Sequence, residues 1–257
     1  MTEPQSVRSP GLLRLALELR APLEFAASMA AAPWLATAPR GDGHPVLVFP
    51  GFLATDFSTR PLRRLLAWLG HDVHGWGLGR NLRPSPEVID RALGRINELH
   101  GRGGRRVSLV GWSLGGLYAR ELAKRAPDAV RAVVSLGSPF AGPLQATRAS
   151  RLFDRINSGR ALAPLPQENF GVAPPVPTSS IYSHSDGIVA WQISQQAAGP
   201  MSESIRVPAS HLGLGVNPWA LYALADRLAQ PEGQWLPFER VGKRRAWYPK
   251  ARQPAAA

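Results

Sequence analysis

No cysteine occurs among the 257 residues, which removes disulfides, thiolate metal sites and cysteine nucleophiles from consideration. Lysine is almost as scarce. Lys124, Lys243 and Lys250 are the only lysines among 30 basic residues, so the net charge of +12 is carried by arginine. The arginines are scattered and no nucleic-acid motif accompanies them, so no nucleic-acid partner is expected. A balance this basic does concentrate anionic partners, which leaves peripheral contact with an anionic membrane or an acidic carrier protein open. Nowhere does an apolar run approach the ~20 residues that span a bilayer. Leucines crowd residues 12–32, but Arg14, Glu18, Arg20 and Glu24 interrupt them, unlike the apolar stretch of a signal peptide. An amphipathic helix fits better, packed on its own domain or lying on a membrane surface. A cytoplasmic location is the expectation.

What is present is a rhythm of short apolar runs and helical stripes. Val46–Phe49, Asp72–Trp76, Val107–Val110, Ala132–Leu136, Thr178–Tyr182 and Ser204–Val207 read as strands. Between them, Arg60–Leu69 has leucines at helical spacing. Ser85 followed by Pro86 is a helix start, and the stripe Val88, Ile89, Leu93, Ile96, Leu99 runs on to Gly101 and the Gly103-Gly104 pair. Further helices are expected from Leu114 through Arg125 and over Pro218–Ala229. Such alternation predicts an α/β fold, a mostly parallel sheet with helices on both faces. Four parts follow: an N-terminal helical segment (1–40), the α/β core (41–139 and 178–229), and an insertion at 140–177 placed as a small cap or lid. A C-terminal tail (230–257) is expected to pack on the core as far as Tyr248.

Gly111-Trp112-Ser113-Leu114-Gly115 fits Gly-x-Ser-x-Gly, with a β-branched strand leading in and an alanine-rich helix leading out. That context makes it a nucleophile elbow, in which a strained turn lifts the serine hydroxyl clear of the sheet. A hydroxyl nucleophile needs a base, and where such an elbow carries a triad the chain order is Ser, acid, His. Of six histidines only His184 and His211 follow Ser113, and only His211 also follows a plausible acid. Asp186 sits in a tight polar turn after the preceding strand, whereas Asp128 and Asp154 lie at a helix end and in the insertion. The candidate triad is therefore Ser113–Asp186–His211, with Asp154 and Glu168 as fallback acids. The backbone N–H groups of Leu114 and Phe52 are the expected oxyanion donors, with Leu53 as the neighbouring alternative.

These segments, in this order over about 44–215, resemble the α/β-hydrolase superfamily and, within it, small bacterial lipases and esterases. The strand-Pro50-Gly51-Phe52 turn, the Gly-Trp-Ser-Leu-Gly-Gly elbow and Ser135-Leu136-Gly137-Ser138-Pro139 carry the likeness, as do Ile181–Val189 and Ser210-His211-Leu212-Gly213. The resemblance implies hydrolysis of acyl esters with no metal or organic cofactor. Its substrate is expected to be a small-molecule or lipid ester, held by Leu53, Trp112, Phe140 and Leu144, with Phe170 and Val172 over them; for Trp112 a place in the core beneath the elbow is an equal expectation. Two features depart from the smallest lipases: the added N-terminal segment and the longer interval at 140–177. Acyl transfer by the same triad, or a non-catalytic interaction protein on this scaffold, are the competing readings.

Overall fold

The strand runs alternate their side chains between two helical layers. In the strand Pro45–Phe49 (β1), Val46 and Val48 face one layer and Leu47 and Phe49 the other, and all are fully buried. The computed structural model describes residues 7–160, 170–242 and 244–251. Its sheet adds Asp72–Gly75 (β2), Val107–Trp112 (β3), Val130–Leu136 (β4), Thr178–Tyr182 (β5) and Ser202–Arg206 (β6). The six strands run in the order β2-β1-β3-β4-β5-β6, and every neighbouring pair is parallel. A sheet expected to be mostly parallel is wholly so among the described strands. Strand order reverses between β1 and β3, and a parallel sheet opens its ligand crevice at the carboxyl ends beside such a switch point.

The N-terminal helices are Leu12–Ala16 (α1), Ala21–Ala30 (α2) and Ala32–Leu35 (α3). Arg60–Trp68 (α4) follows β1, and its Leu62 and Leu66 join β1, β3 and β4 side chains in one core cluster. Pro86–Gly103 (α5) begins at the Ser85 cap, whose hydroxyl accepts the Val88 N–H, and ends where Gly104 turns left-handed. It packs with Leu114–Arg125 (α6) on the opposite face. Ser150–Asn157 (α7) lies in the insertion, and Pro218–Leu228 (α8) returns to the α4 side. Asn217 caps α8 through the N–H groups of Trp219 and Ala220.

The short tail helix Arg244–Trp247 (α9) ends at Tyr248, which is fully buried and donates to the Trp219 carbonyl at 2.9 Å. The N-terminal segment is not the single helix its charge and leucine spacing suggested. A 3-10 turn at Leu17–Arg20 and a proline in the first turn of α2 break it into pieces. Among the described residues, no helix is long and apolar enough to cross a membrane.

Candidate active site

β3 delivers Ser113 into the turn before α6 with φ 53° and ψ −119°, one of two non-glycine residues at positive φ among those described. That backbone is strained. It is held by close packing: a side chain at Gly111 would strike the Gly115 carbonyl, and one at Gly115 would strike the carbonyl of Phe49. The Ser113 N–H donates to Leu136 O at 2.8 Å, tying the elbow to the end of β4.

The loop after β1 faces the elbow, for a Cβ on Gly51 would stand 3.4 Å from that of Ser113. Leu53 is the other residue at positive φ, and its N–H donates to the Asn81 carbonyl at 2.7 Å. That engagement removes Leu53 from the oxyanion alternatives. The N–H groups of Phe52 and Leu114 meet no acceptor among the described residues. Leu114 opens α6, whose first-turn N–H groups and dipole favour negative charge. Asn81, fully buried, shapes the whole loop by also donating its side-chain amide to Pro50 O at 2.8 Å. Nothing in the sequence around Asn81 marks that role.

Asp186 and His211 meet at the ends of β5 and β6. Asp186 Oδ2 lies 2.7 Å from His211 Nδ1, and its Oδ1 accepts from the N–H groups of Ile188 and Val189 at 2.8 and 2.7 Å. A side chain at Gly137 would stand 3.1 Å from His211 Nδ1, so the pair rests against the end of β4, where Ser113 is also tied. Trp112 Nε1 donates to the His211 carbonyl at 3.1 Å. Burial pushes the imidazole pKa down, but the charge and hydrogen bond of Asp186, with the charge of Glu18, outweigh it and leave it raised. Ser113 Oγ and His211 Nε2 are not hydrogen-bonded here; in apo hydrolases this contact is commonly loose and tightens with substrate. His184 instead stacks on Trp191 at 4.0 Å. His44 and His71 lie beside β1's amino end, the former bonded to Asp42 and Ser108.

Over Ser113 lies a cavity of about 160 Å³ bounded by Phe52, Leu114, Leu117, Leu144, Phe153, Ile188 and Val189, with Gln145, Thr147 and Asp154 among its polar members. Of the four residues expected to hold substrate, Leu144 borders this cavity. Leu53, Trp112 and Phe140 are not walls. Leu53 is turned by the Asn81 contact, and Trp112 is buried beneath the elbow in the core. Phe140 is buried with Leu117 and Phe170 under the Arg120 guanidinium, 3.8 Å from its ring. Arg120, fully buried on α6, also grips the carbonyls of Phe170, Gly171 and Val172, fixing the returning end of the insertion. Val172 itself is exposed, so it covers nothing. Asp154 borders the cavity, whereas Glu168 lies outside the described residues.

Residues 44–167 match the family model described as the alpha/beta hydrolase fold. No curated protein matches the chain. Among solved structures, a mature-form lipase of Bacillus licheniformis superposes with TM-score 0.57 at 13% identity, covering 76% of this chain and 95% of that one. A monoacylglycerol lipase of Paleococcus ferrophilus gives 0.53 at 16% identity, covering 75% and 97%. Lipase B of Aspergillus fumigatus gives 0.54 at 19% identity over 77% of this chain, which spans only 55% of that enzyme. At these identities the likeness is one of fold, and together with the parallel sheet, the strained serine turn and the matched segment it shows that this chain has the α/β-hydrolase fold.

Proposed function

We propose that the protein is a serine esterase that hydrolyses short acyl esters through an acyl-enzyme on Ser113. The observation that carries this reading is the Asp186–His211 hydrogen bond, set at the carboxyl ends of the strands beside a serine held at positive φ. His211 takes the Ser113 proton as the hydroxyl attacks the ester carbonyl, and returns it to the departing alcohol. The N–H groups of Phe52 and Leu114 receive the oxyanion, each contributing about 3–4 kcal/mol as in comparable enzymes. Water then repeats the sequence against the acyl-enzyme. The insertion, through α7, acts as a small lid over the acyl group. This assignment is tested by labelling with a fluorophosphonate probe, which must mark wild type and not Ser113→Ala.

The cavity also sets an expected chain-length profile. A 150 Å³ apolar cavity holds a benzene-sized group, so about 160 Å³ fits an acyl chain of roughly six carbons. Each methylene that enters adds about 0.8 kcal/mol, close to fourfold in kcat/KM. With p-nitrophenyl esters, kcat/KM is expected to climb from acetate to about hexanoate and then level or fall. A steady climb through palmitate, above the substrate's aggregation threshold, contradicts this and indicates a true lipase.

A further inference from the structure

The N-terminal segment wears its amphipathic pattern inside out. Glu18 and Glu24 are buried, while Leu12, Leu13, Leu19 and Leu23 are more than 70% exposed. Both carboxyl groups accept from backbone N–H groups of the loops that carry Asp186 and His211, and Glu24 also pairs with Arg20. Glu18 Oε1 accepts from the N–H groups of Gly187 at 2.7 Å and His211 at 2.9 Å, and its Oε2 from Leu212 at 2.8 Å. Glu24 Oε1 accepts from Ser210 N–H at 2.8 Å, and its Oε2 from the Asn217 side chain at 3.2 Å. Room is made for them. A side chain at Gly187 would strike the Arg14 carbonyl, and one at Gly213 would strike the Glu24 carboxyl. Arg20 completes the strap, bonding Glu24 at 2.7 Å and Ser185 Oγ at 2.6 Å.

We infer that this segment is a positioning strap, in which Glu18 binds the acid loop and the histidine loop to one another so that His211 keeps its register against Asp186 and Ser113. The inference rests on the triad proposed above. The groups facing His211 are Asp186 from the acid loop and Glu18 from the strap, with Arg20 and Glu24 one residue further out. A carboxyl group is suited to three N–H donors, since both its oxygens accept; a carboxamide places an NH₂ against one of them.

Glu18→Gln is therefore expected to lower kcat/KM for p-nitrophenyl butyrate by roughly ten- to a hundredfold, mostly in kcat, as loosened catalytic geometry does. Its acid limb should also move to lower pH, because a negative charge beside the imidazolium is gone. Wild-type kcat/KM with an unmoved acid limb in Glu18→Gln overturns the strap. Should that variant not fold, hydrogen exchange of the wild type decides. The N–H groups of Gly187, His211 and Leu212 must exchange slowly, and free exchange refutes the inference. A Ser113→Ala protein that still turns over ester would instead sink the triad and leave the exchange result standing.

An independent observation concerns the outer face. With both acidic residues turned inward, the described part of the segment up to Leu35 shows solvent apolar side chains and the exposed Arg8 and Arg14, with Arg20 half-buried. The face continues into an open groove of about 920 Å³ between α2–α3 and α4, lined by Phe25, Met29, Phe57 and Trp68 and flanked by Arg60 and Arg64. Leucine and arginine without exposed acid is the chemistry of a surface that lies in an anionic bilayer interface. We propose that this face docks on anionic phospholipid. The protein should cosediment with vesicles of phosphatidylcholine containing one-third phosphatidylglycerol, less so as salt rises, and not with pure phosphatidylcholine. Leu19→Ser with Leu23→Ser should weaken that binding by about tenfold or more. Equal binding to both vesicles, no binding, unaltered binding by the variant, or a concentration-dependent dimer that the variant abolishes would each overturn it.

Discussion

Ser113→Ala is expected to leave a folded protein whose ester turnover falls by about a millionfold, the loss found when a triad's nucleophile is removed elsewhere. The fold should survive because the hydroxyl makes no hydrogen bond among the described residues, while the N–H that anchors the turn, to Leu136 at 2.8 Å, is untouched. Alanine still has a Cβ and so still carries the strain of φ 53°, which keeps the thermal midpoint near that of wild type. His211→Ala belongs to the same unit and should be as severe. His184→Ala should cost little, since that ring stacks on Trp191 and not against Asp186. Single-turnover kinetics with p-nitrophenyl butyrate measure all three. A Ser113→Ala protein with a tenth of the wild-type kcat, or a His184 variant worse than the His211 one, contradicts the proposed chemistry.

These residues can be proposed from the sequence because local chemistry points to them. A serine between Gly111 and Gly115 after a β-branched run has one familiar use, and Asp186 and His211 each follow a strand directly. Helix α5 was equally plain, with Ser85 and Pro86 at its start and glycines at its end. The sequence was less informative where a side chain had a choice of face. Trp112 and Phe140 flank the site in the chain, yet one is turned under the elbow and the other is capped by Arg120, and only tertiary packing decides that. The N-terminal segment shows the limit most clearly. Periodicity sends leucines inward and charges outward, and the structure reverses this because carboxyl groups on the Gly187, His211 and Leu212 amides are better placed than water-exposed ones. Local rules fail most readily where a segment serves a site. A buried acid of this kind has no signature short of the fold.

Asp186→Asn is expected to fold, to bind a reversible ester analogue, and to lose about ten-thousandfold in kcat, as the acid's amide does in a serine-protease triad. The size follows from how the group is held. Its Oδ1 already takes two backbone N–H groups, from Ile188 and Val189, so an asparagine must keep its carbonyl there. The NH₂ then occupies the position of Oδ2 and donates to His211 Nδ1, 2.7 Å away. Nδ1 becomes the acceptor, the ring proton moves to Nε2, and Nε2 can no longer take the proton of Ser113. The opposite rotamer is closed, because it sets NH₂ against two donors. The pH dependence carries a sign. A general base works when neutral, so activity rises with pH through the imidazole pKa, which Asp186 now holds above the ordinary value against the pull of burial. Without that charge burial is opposed only by Glu18, the imidazole pKa falls, and the acid limb of kcat moves to lower pH while the plateau drops. Glu18→Gln should displace the limb in the same direction, by less, because Glu18 faces the backbone of His211 and not its ring nitrogen. An Asp186→Asn enzyme near full activity, or one whose acid limb moves upward, removes Asp186 from the triad and directs attention to Asp154 at the cavity wall.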